Sequence, residues 1–218
     1  MNYQIDAPGS AIRTTVKLPA SKSISNRALI LNALSYSAYD VENLSDCDDT
    51  NLMVKALNSN DRDFNVGAAG TTMRFLTAFL SKVVGEWTIT GTERMKNRPI
   101  KVLVDALNAL GARIEYMEKE GYPPLRIFGS ALQGGEISLP GNVSSQYISA
   151  ILMIAPLTEN GVTLHLEGAI ISRPYIHITL QLMEQYGVRA SWTENTIKVL
   201  PQEYKPIRFT VESDLSLI

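Results

Sequence analysis

Three short clusters carry residues whose types and spacing suit anion binding. They are Ser21-Lys22-Ser23-Ile24-Ser25-Asn26-Arg27, Ala69-Gly70-Thr71-Thr72-Met73-Arg74 and Gly141-Asn142-Val143-Ser144-Ser145-Gln146. Each opens a strongly apolar run, at residues 28–34, 75–80 and 147–157. Ser, Thr and Gly ahead of such a run mark a helix N-terminus. There the free backbone N–H groups and the positive end of the helix dipole favour an anion. Lys22, Arg27 and Arg74 add cationic side chains to two of the three. A lysine at a helix start is unfavourable for the dipole, which points Lys22 towards a ligand. Phosphate and carboxylate are the expected groups.

The chain as a whole does not share this bias. Its net charge is -2 over 218 residues, so no global basic field draws in nucleic acid or a membrane surface, and small anions are the expected partners. A hydrophobic content of 45% with 19% charged residues is that of an ordinary folded domain. The lone Cys47 cannot form an internal disulfide and reads as a structural thiol in a reducing, cytoplasmic protein. No apolar run reaches the ~18 residues that a membrane span requires. No His, Cys or carboxylate cluster has metal-ligand spacing, so neither metal nor cofactor is expected.

The elements that must position the clusters form a repeat. Each apolar run lacks a polar stripe and reads as a buried helix. A short strand follows it, at 39–44, 86–91 and 161–168. A second, amphipathic helix comes next. Arg98-Pro99 is expected to open one, with the stripe Ile100, Leu103, Val104, Leu107 and Leu110. Arg173-Pro174 opens another, with Ile176, Leu180, Met183 and Tyr186. Gly111 and Gly187 are their C-terminal caps, leading to strands at 112–116 and 188–192. In the first unit Asp48-Asp49-Thr50 caps the corresponding helix. Three such units predict an α+β fold: a prism-like domain with buried helices inside and a mixed sheet outside each. The stretch 207–214 reads as one more strand, and the apolar end at Leu215-Ser216-Leu217-Ile218 leads us to expect further chain.

The residues resemble the N-terminal half of the 5-enolpyruvylshikimate-3-phosphate synthase family. The resemblance rests on residues 18–29 (Leu-Pro-Ala-Ser-Lys-Ser-Ile-Ser-Asn-Arg-Ala-Leu), 69–74 and Arg94-Met95-Lys96-Asn97-Arg98-Pro99. It continues in Tyr122-Pro123-Pro124-Leu125, Ser144-Ser145-Gln146-Tyr147 and Ser172-Arg173-Pro174-Tyr175, all in the family's order. The resemblance implies transfer of the enolpyruvyl group of phosphoenolpyruvate to the 5-hydroxyl of shikimate 3-phosphate, without a cofactor. It also implies a segment 1–20 joining a second domain, the prism domain at 21–213, and a crossover beginning at 214–218. The acid and base carboxylates would lie in that second domain, which leads us to expect no turnover from this chain alone, and a monomer.

Residue roles follow by position. The resemblance places Lys22 between both substrates and gives Ser23 and Arg27 the shikimate hydroxyls and carboxylate. Ser144, Ser145, Ser172 and Tyr175 would surround the 3-phosphate, and Gln146 would touch both substrates. Gly70 and Arg98 would meet phosphoenolpyruvate. Ser21, Ser23, Ser144 and Ser172 are otherwise plain helix caps, and Arg98 and Arg173 solvated charges. Arg74 and Arg94 are read as loop braces, His165 and His177 as structural or exposed residues, and the methionines as core fillers. Ala68, His177 and Leu215 depart from the family pattern. The related transferase acting on UDP-N-acetylglucosamine shares the architecture, but its catalytic-cysteine loop is not found here. A non-catalytic anion-binding module on the same fold is the remaining alternative.

Overall fold

The computed structural model describes Gly9 and residues 18–214. Expectations for the rest of segment 1–20 and for residues 215–218 lie outside the described residues.

The first unit holds α1 (Lys22–Leu34), β1 (Val41–Glu42) and α2 (Asp48–Leu57). The second holds β2 (Asp63–Asn65), α3 (Gly70–Lys82), β3 (Gly85–Thr90), a short α4 (Glu93–Lys96), α5 (Lys101–Ala109), β4 (Arg113–Tyr116) and β5 (Leu125–Gly129). The third holds β6 (Gly135–Pro140), α6 (Ser145–Ile154), β7 (Val162–Glu167), α7 (Arg173–Gln185), β8 (Ala190–Thr193) and β9 (Thr196–Val199). A last strand, β10, spans Phe209–Thr210.

The three helices that lack a polar stripe are the buried ones, and α1, α3 and α6 pack against one another at the centre. Pro156 removes a backbone donor, so α6 gives way to a 3-10 turn at Ala155–Leu157. The amphipathic helices lie outside this core. Ile100, Leu103, Val104, Leu107 and Leu110 on and beside α5 are buried, as are Ile176, Met183 and Tyr186 on and beside α7. Both helices end in the expected glycine. The amides of Gly111 and Ala112 reach back to the carbonyls of Asn108 and Leu107, and those of Gly187 and Val188 to Glu184 and Met183. Both glycines have positive φ, 99° and 86°, which a side chain would resist.

The second and third units carry the same sheet. Its order is β2-β3-β5-β4 in one and β6-β7-β9-β8 in the other. In each, the strand after the buried helix pairs parallel with the strand before it and antiparallel with a hairpin strand. The repeat is therefore longer than the sequence suggested, with a strand ahead of the cluster and a hairpin at the end. The first unit departs from this. Its strand β1 pairs parallel with β10, so the tail closes the sheet, and among the described residues no hairpin follows α2.

Two local expectations are corrected. Arg98-Pro99 does not open α5: the chain turns at these residues and Ile100 takes the cap position. Asp48 and Asp49 lie in the first turn of α2, and Cys47 stands at its cap.

Candidate functional site

The three clusters meet. A cavity of about 290 Å³ is lined by Lys22, Ser23, Asn26 and Arg27 of α1, Thr71 of α3, Ser144, Ser145 and Gln146 at the start of α6, and Tyr175 of α7. Three helix N-termini from three units thus face one space, and their orphan N–H groups suit an anion there. Gln146 Nε2 donates to Thr71 Oγ1 at 3.1 Å and ties the α6 start to the α3 start. The Ser144 hydroxyl accepts from the Gln146 amide at 3.3 Å as a weak cap. Ser21 and Ser172 also stand at cap positions, yet their hydroxyls make no capping bond. The plain-cap reading therefore holds only for Ser144.

Arg27 dominates the cavity floor. It is 2% exposed. Its Nε donates to Thr179 Oγ1 at 2.7 Å, Nη1 to the Ser23 carbonyl at 2.9 Å and Nη2 to Ser149 Oγ at 2.9 Å. The rings of Phe75 and Tyr175 lie 5.4 and 6.0 Å from its guanidinium carbon. Among the described residues no carboxylate forms an ion pair with it. Burial pushes its pKa down to about 10. A buried cation without a counter-charge is costly unless a ligand supplies one.

Lys22 is held at the mouth by Asp49, with Nζ 2.8 Å from Oδ2. The other Asp49 oxygen accepts the backbone N–H of Thr71 at 2.9 Å. One carboxylate of α2 therefore fixes both the lysine of α1 and the start of α3. Sequence reasoning missed this role. The signal was present only as an acid in a first turn, and its partners lie 27 and 22 residues away in sequence. Asn26 was missed as well. It is fully buried, lines the cavity, and neither amide atom has a partner.

Gly70 and Arg98 adjoin each other. A methyl group on Gly70 would sit 2.5 and 2.7 Å from the two terminal nitrogens of Arg98, and 2.8 Å from Nη1 of Arg74. Arg74 is buried, donates to the Gly70 carbonyl at 2.8 Å and has its guanidinium carbon 5.8 Å from the Tyr147 ring centre. Burial lowers its pKa, and the neighbouring Arg98 charge lowers it further. Arg74 is thus the brace the sequence suggested, and it keeps a second guanidinium beside Gly70. This gives a cationic spot next to the cavity, with glycine as the only residue small enough to leave room above it.

Other expected positions fall outside this lining. Ser172 stands at the start of α7, three residues before Tyr175. Arg94 is exposed. His177 and Arg173 both pack on Trp192, at 4.6 Å between ring centres and 5.3 Å from guanidinium to ring. His165 bridges Glu136 and Thr196 across the third sheet. Ala68 is exposed, and the loop around it is held by the Asn65 side chain accepting the Gly67 amide at 3.0 Å. Among the described residues, no group of His, Cys, Asp and Glu could hold a metal ion, and no helix is long and apolar enough to cross a membrane.

Similarity to known proteins bears on the family and the fold. The family model of EPSP synthase (3-phosphoshikimate 1-carboxyvinyltransferase) matches residues 7–61 and 58–217. A 3-phosphoshikimate 1-carboxyvinyltransferase of Bacteroides fragilis strain YCH46 is 59% identical over 217 residues, 99% of this chain and 53% of that protein. One from Vibrio campbellii is 42% identical over 238 residues, 96% of this chain and 56% of that protein. The second alignment is longer than the whole chain, so that relative has residues without a counterpart here. The chain spans about half the length of these relatives. An EPSP synthase structure from Acinetobacter baumannii shares the fold at a TM-score of 0.81 with 21% identity, covering 92% of this chain and 50% of that one. Six motifs in order, one prism fold and a match over nearly every residue place the chain in the EPSP synthase family.

Proposed function

We propose that this chain is the shikimate 3-phosphate-binding half of an enolpyruvyl transferase of the shikimate pathway. One observation carries the reading: a buried Arg27, with no ion pair among the described residues, lies under three convergent helix N-termini. Shikimate 3-phosphate brings a carboxylate for Arg27 and Ser23, and a phosphate for the start of α6 at Ser144 and Ser145. Ser172 and Tyr175 approach the same phosphate from α7. Charge-assisted hydrogen bonds of this kind contribute about 1.5–3 kcal/mol each, enough to offset the burial of Arg27.

Phosphoenolpyruvate would lie over Gly70, with Arg98 on its anionic groups and Gln146 reaching both substrates. Lys22, a compact ammonium held by Asp49, stands where it can neutralise two anions at once. In the reaction the 5-hydroxyl gives up its proton to a base as its oxygen bonds to C2 of phosphoenolpyruvate, and a proton adds to C3. The C2–O bond to phosphate then breaks, releasing phosphate, and loss of a C3 proton forms the enol ether. The groups on this wall bind and orient. Proton transfer needs carboxylates that are not spent on lysine, and Asp49 is spent in this way. A second domain of the same protein would supply them and would exclude water on closing. The reading also implies a cytoplasmic monomer that uses no cofactor.

Isothermal titration of the 218-residue chain with shikimate 3-phosphate tests the reading, with shikimate as the control. Saturable 1:1 binding that weakens at least about tenfold without the phosphate is expected. Equal binding of both, or none at millimolar ligand, would refute it. A steady-state phosphate-release assay of the chain alone should give no turnover.

A further inference from the structure

The three-fold repeat shows what one face of the first unit is missing. Strands β1, β3 and β7 are equivalent, since each follows a buried helix and pairs parallel with one neighbour. The opposite edge of β3 takes β5, and that of β7 takes β9, both antiparallel. Among the described residues the opposite edge of β1 takes nothing. Beside it runs a groove of about 510 Å³ between α1, α2 and β1. Leu29, Leu44, Val54, Leu57 and Phe79 line it and are only half-buried. In the complete sheets the hairpin strand that fills this place is itself sealed, with Leu125 and Ile127 of β5 and Ile197 of β9 at 0% exposure.

The complete sheets also show the chemistry of the occupant. The inner hairpin strand reads apolar–basic–apolar in both: Leu125-Arg126-Ile127 and Ile197-Lys198-Val199. Arg126 pairs across the outer face with Glu86 at 3.6 Å, and Lys198 faces Thr163. On β1 Glu42 is exposed beside the buried Val41 and accepts from Thr210 Oγ1 of β10 at 2.9 Å, and the exposed Asp40 immediately precedes the strand. Two acids there call for a basic residue opposite. They also disfavour a second copy of β1, because an antiparallel pair centred on Val41 would set Asp40 against Glu42.

We infer that the free edge of β1 and its groove accept an extended segment of a partner protein, added as an antiparallel strand with an apolar–basic–apolar pattern. Backbone ladder bonds would supply affinity and the groove would select side chains. The groove shares no lining residue with the substrate cavity, and its far end at Tyr36 lies beyond the C-terminus of α1, about 20 Å from Lys22 at the helix start.

The test is an amide chemical-shift titration of the chain with a synthetic peptide spanning residues 112–130 of this sequence, the hairpin of the second unit. Shifts confined to residues 40–44, 54 and 57 are expected. Affinity should fall at least about fivefold when the peptide carries Arg126→Glu. The same loss is expected for the chain with Asp40→Lys and Glu42→Gln, checked for folding by circular dichroism. No shifts at millimolar peptide would overturn the inference, as would shifts unaffected by either charge change. So would a concentration-dependent dimer covering the same residues. Binding that appears only after removal of residues 1–17 would also overturn it, by showing the edge to be occupied in cis.

Discussion

Replacing Arg27 by methionine separates binding from folding. Burial holds the Arg27 pKa at about 10 against an ordinary 12.5, and that gap corresponds to about 3 kcal/mol against the charged form. The hydrogen bonds to Ser23, Ser149 and Thr179 return about 1 kcal/mol each or somewhat more. The two terms nearly cancel. Methionine fills a similar volume, and the Ser149 and Thr179 hydroxyls stay bonded to each other at 2.8 Å. Urea unfolding at pH 7 should therefore place Arg27→Met within about 1 kcal/mol of the parent. Binding is different, because the anion loses its buried counter-charge. A loss of about 3 kcal/mol makes shikimate 3-phosphate bind about 100-fold more weakly by calorimetry. A variant that loses more than about 3 kcal/mol of stability yet binds within about threefold of the parent would refute this. Arg27 would then be a structural brace.

Four further outcomes follow from the same structure. Asp49→Ala should cost about 1–2 kcal/mol in urea unfolding, because the Thr71 amide loses its acceptor, and should weaken ligand binding by freeing Lys22; Asp49→Asn should restore most of the stability but not the binding. Gly70→Ala should cost about 1–2 kcal/mol, because the Arg98 end can step aside but the buried Arg74 Nη1, held on the Gly70 carbonyl, must shift as well; phosphoenolpyruvate-induced shifts at the Arg98 side chain should vanish while shikimate 3-phosphate affinity holds within about twofold. Gly129→Ala should cost more than about 3 kcal/mol, because its methyl would overlap the Val83 and Leu80 carbonyl oxygens, which are backbone and cannot step aside. Burial pushes the Tyr186 hydroxyl up to about 12, so the unfolded chain gives up that proton first and stability falls as pH rises from 10 towards 12; Tyr186→Phe should flatten that fall by up to about 3 kcal/mol and cost little at pH 7, because the hydroxyl has no partner among the described residues.

The helix starts were legible because small polar residues before an apolar run leave few alternatives. The glycine caps after α5 and α7 were legible for a similar reason, since a positive φ there excludes most other residues. Pairings between distant strands were not. The tail strand was seen as a strand, yet nothing local says that Phe209 sits beside Val41. The hairpins were read as single strands, because β5 and β9 take their meaning from pairing with β3 and β7, which lie far off in sequence. Arg98-Pro99 looked like a helix opening, and the structure instead turns there and sets Arg98 against Gly70, a contact between residues 28 apart in sequence. Asp49 shows the same limit, as a cap by local rules and a clamp by tertiary ones. Arg27 could be chosen from sequence, but its want of a counter-charge could not.

The central claim is that the convergent helix starts hold shikimate 3-phosphate. A crystal structure of the chain with that ligand tests it most directly. The account predicts the phosphate at the start of α6, within hydrogen-bond distance of Ser144 and Ser145, and the carboxylate on Arg27 and Ser23. Ligand density in the neighbouring cavity between α2 and the Gly67–Ala69 loop, or an empty site at saturating ligand, would contradict it.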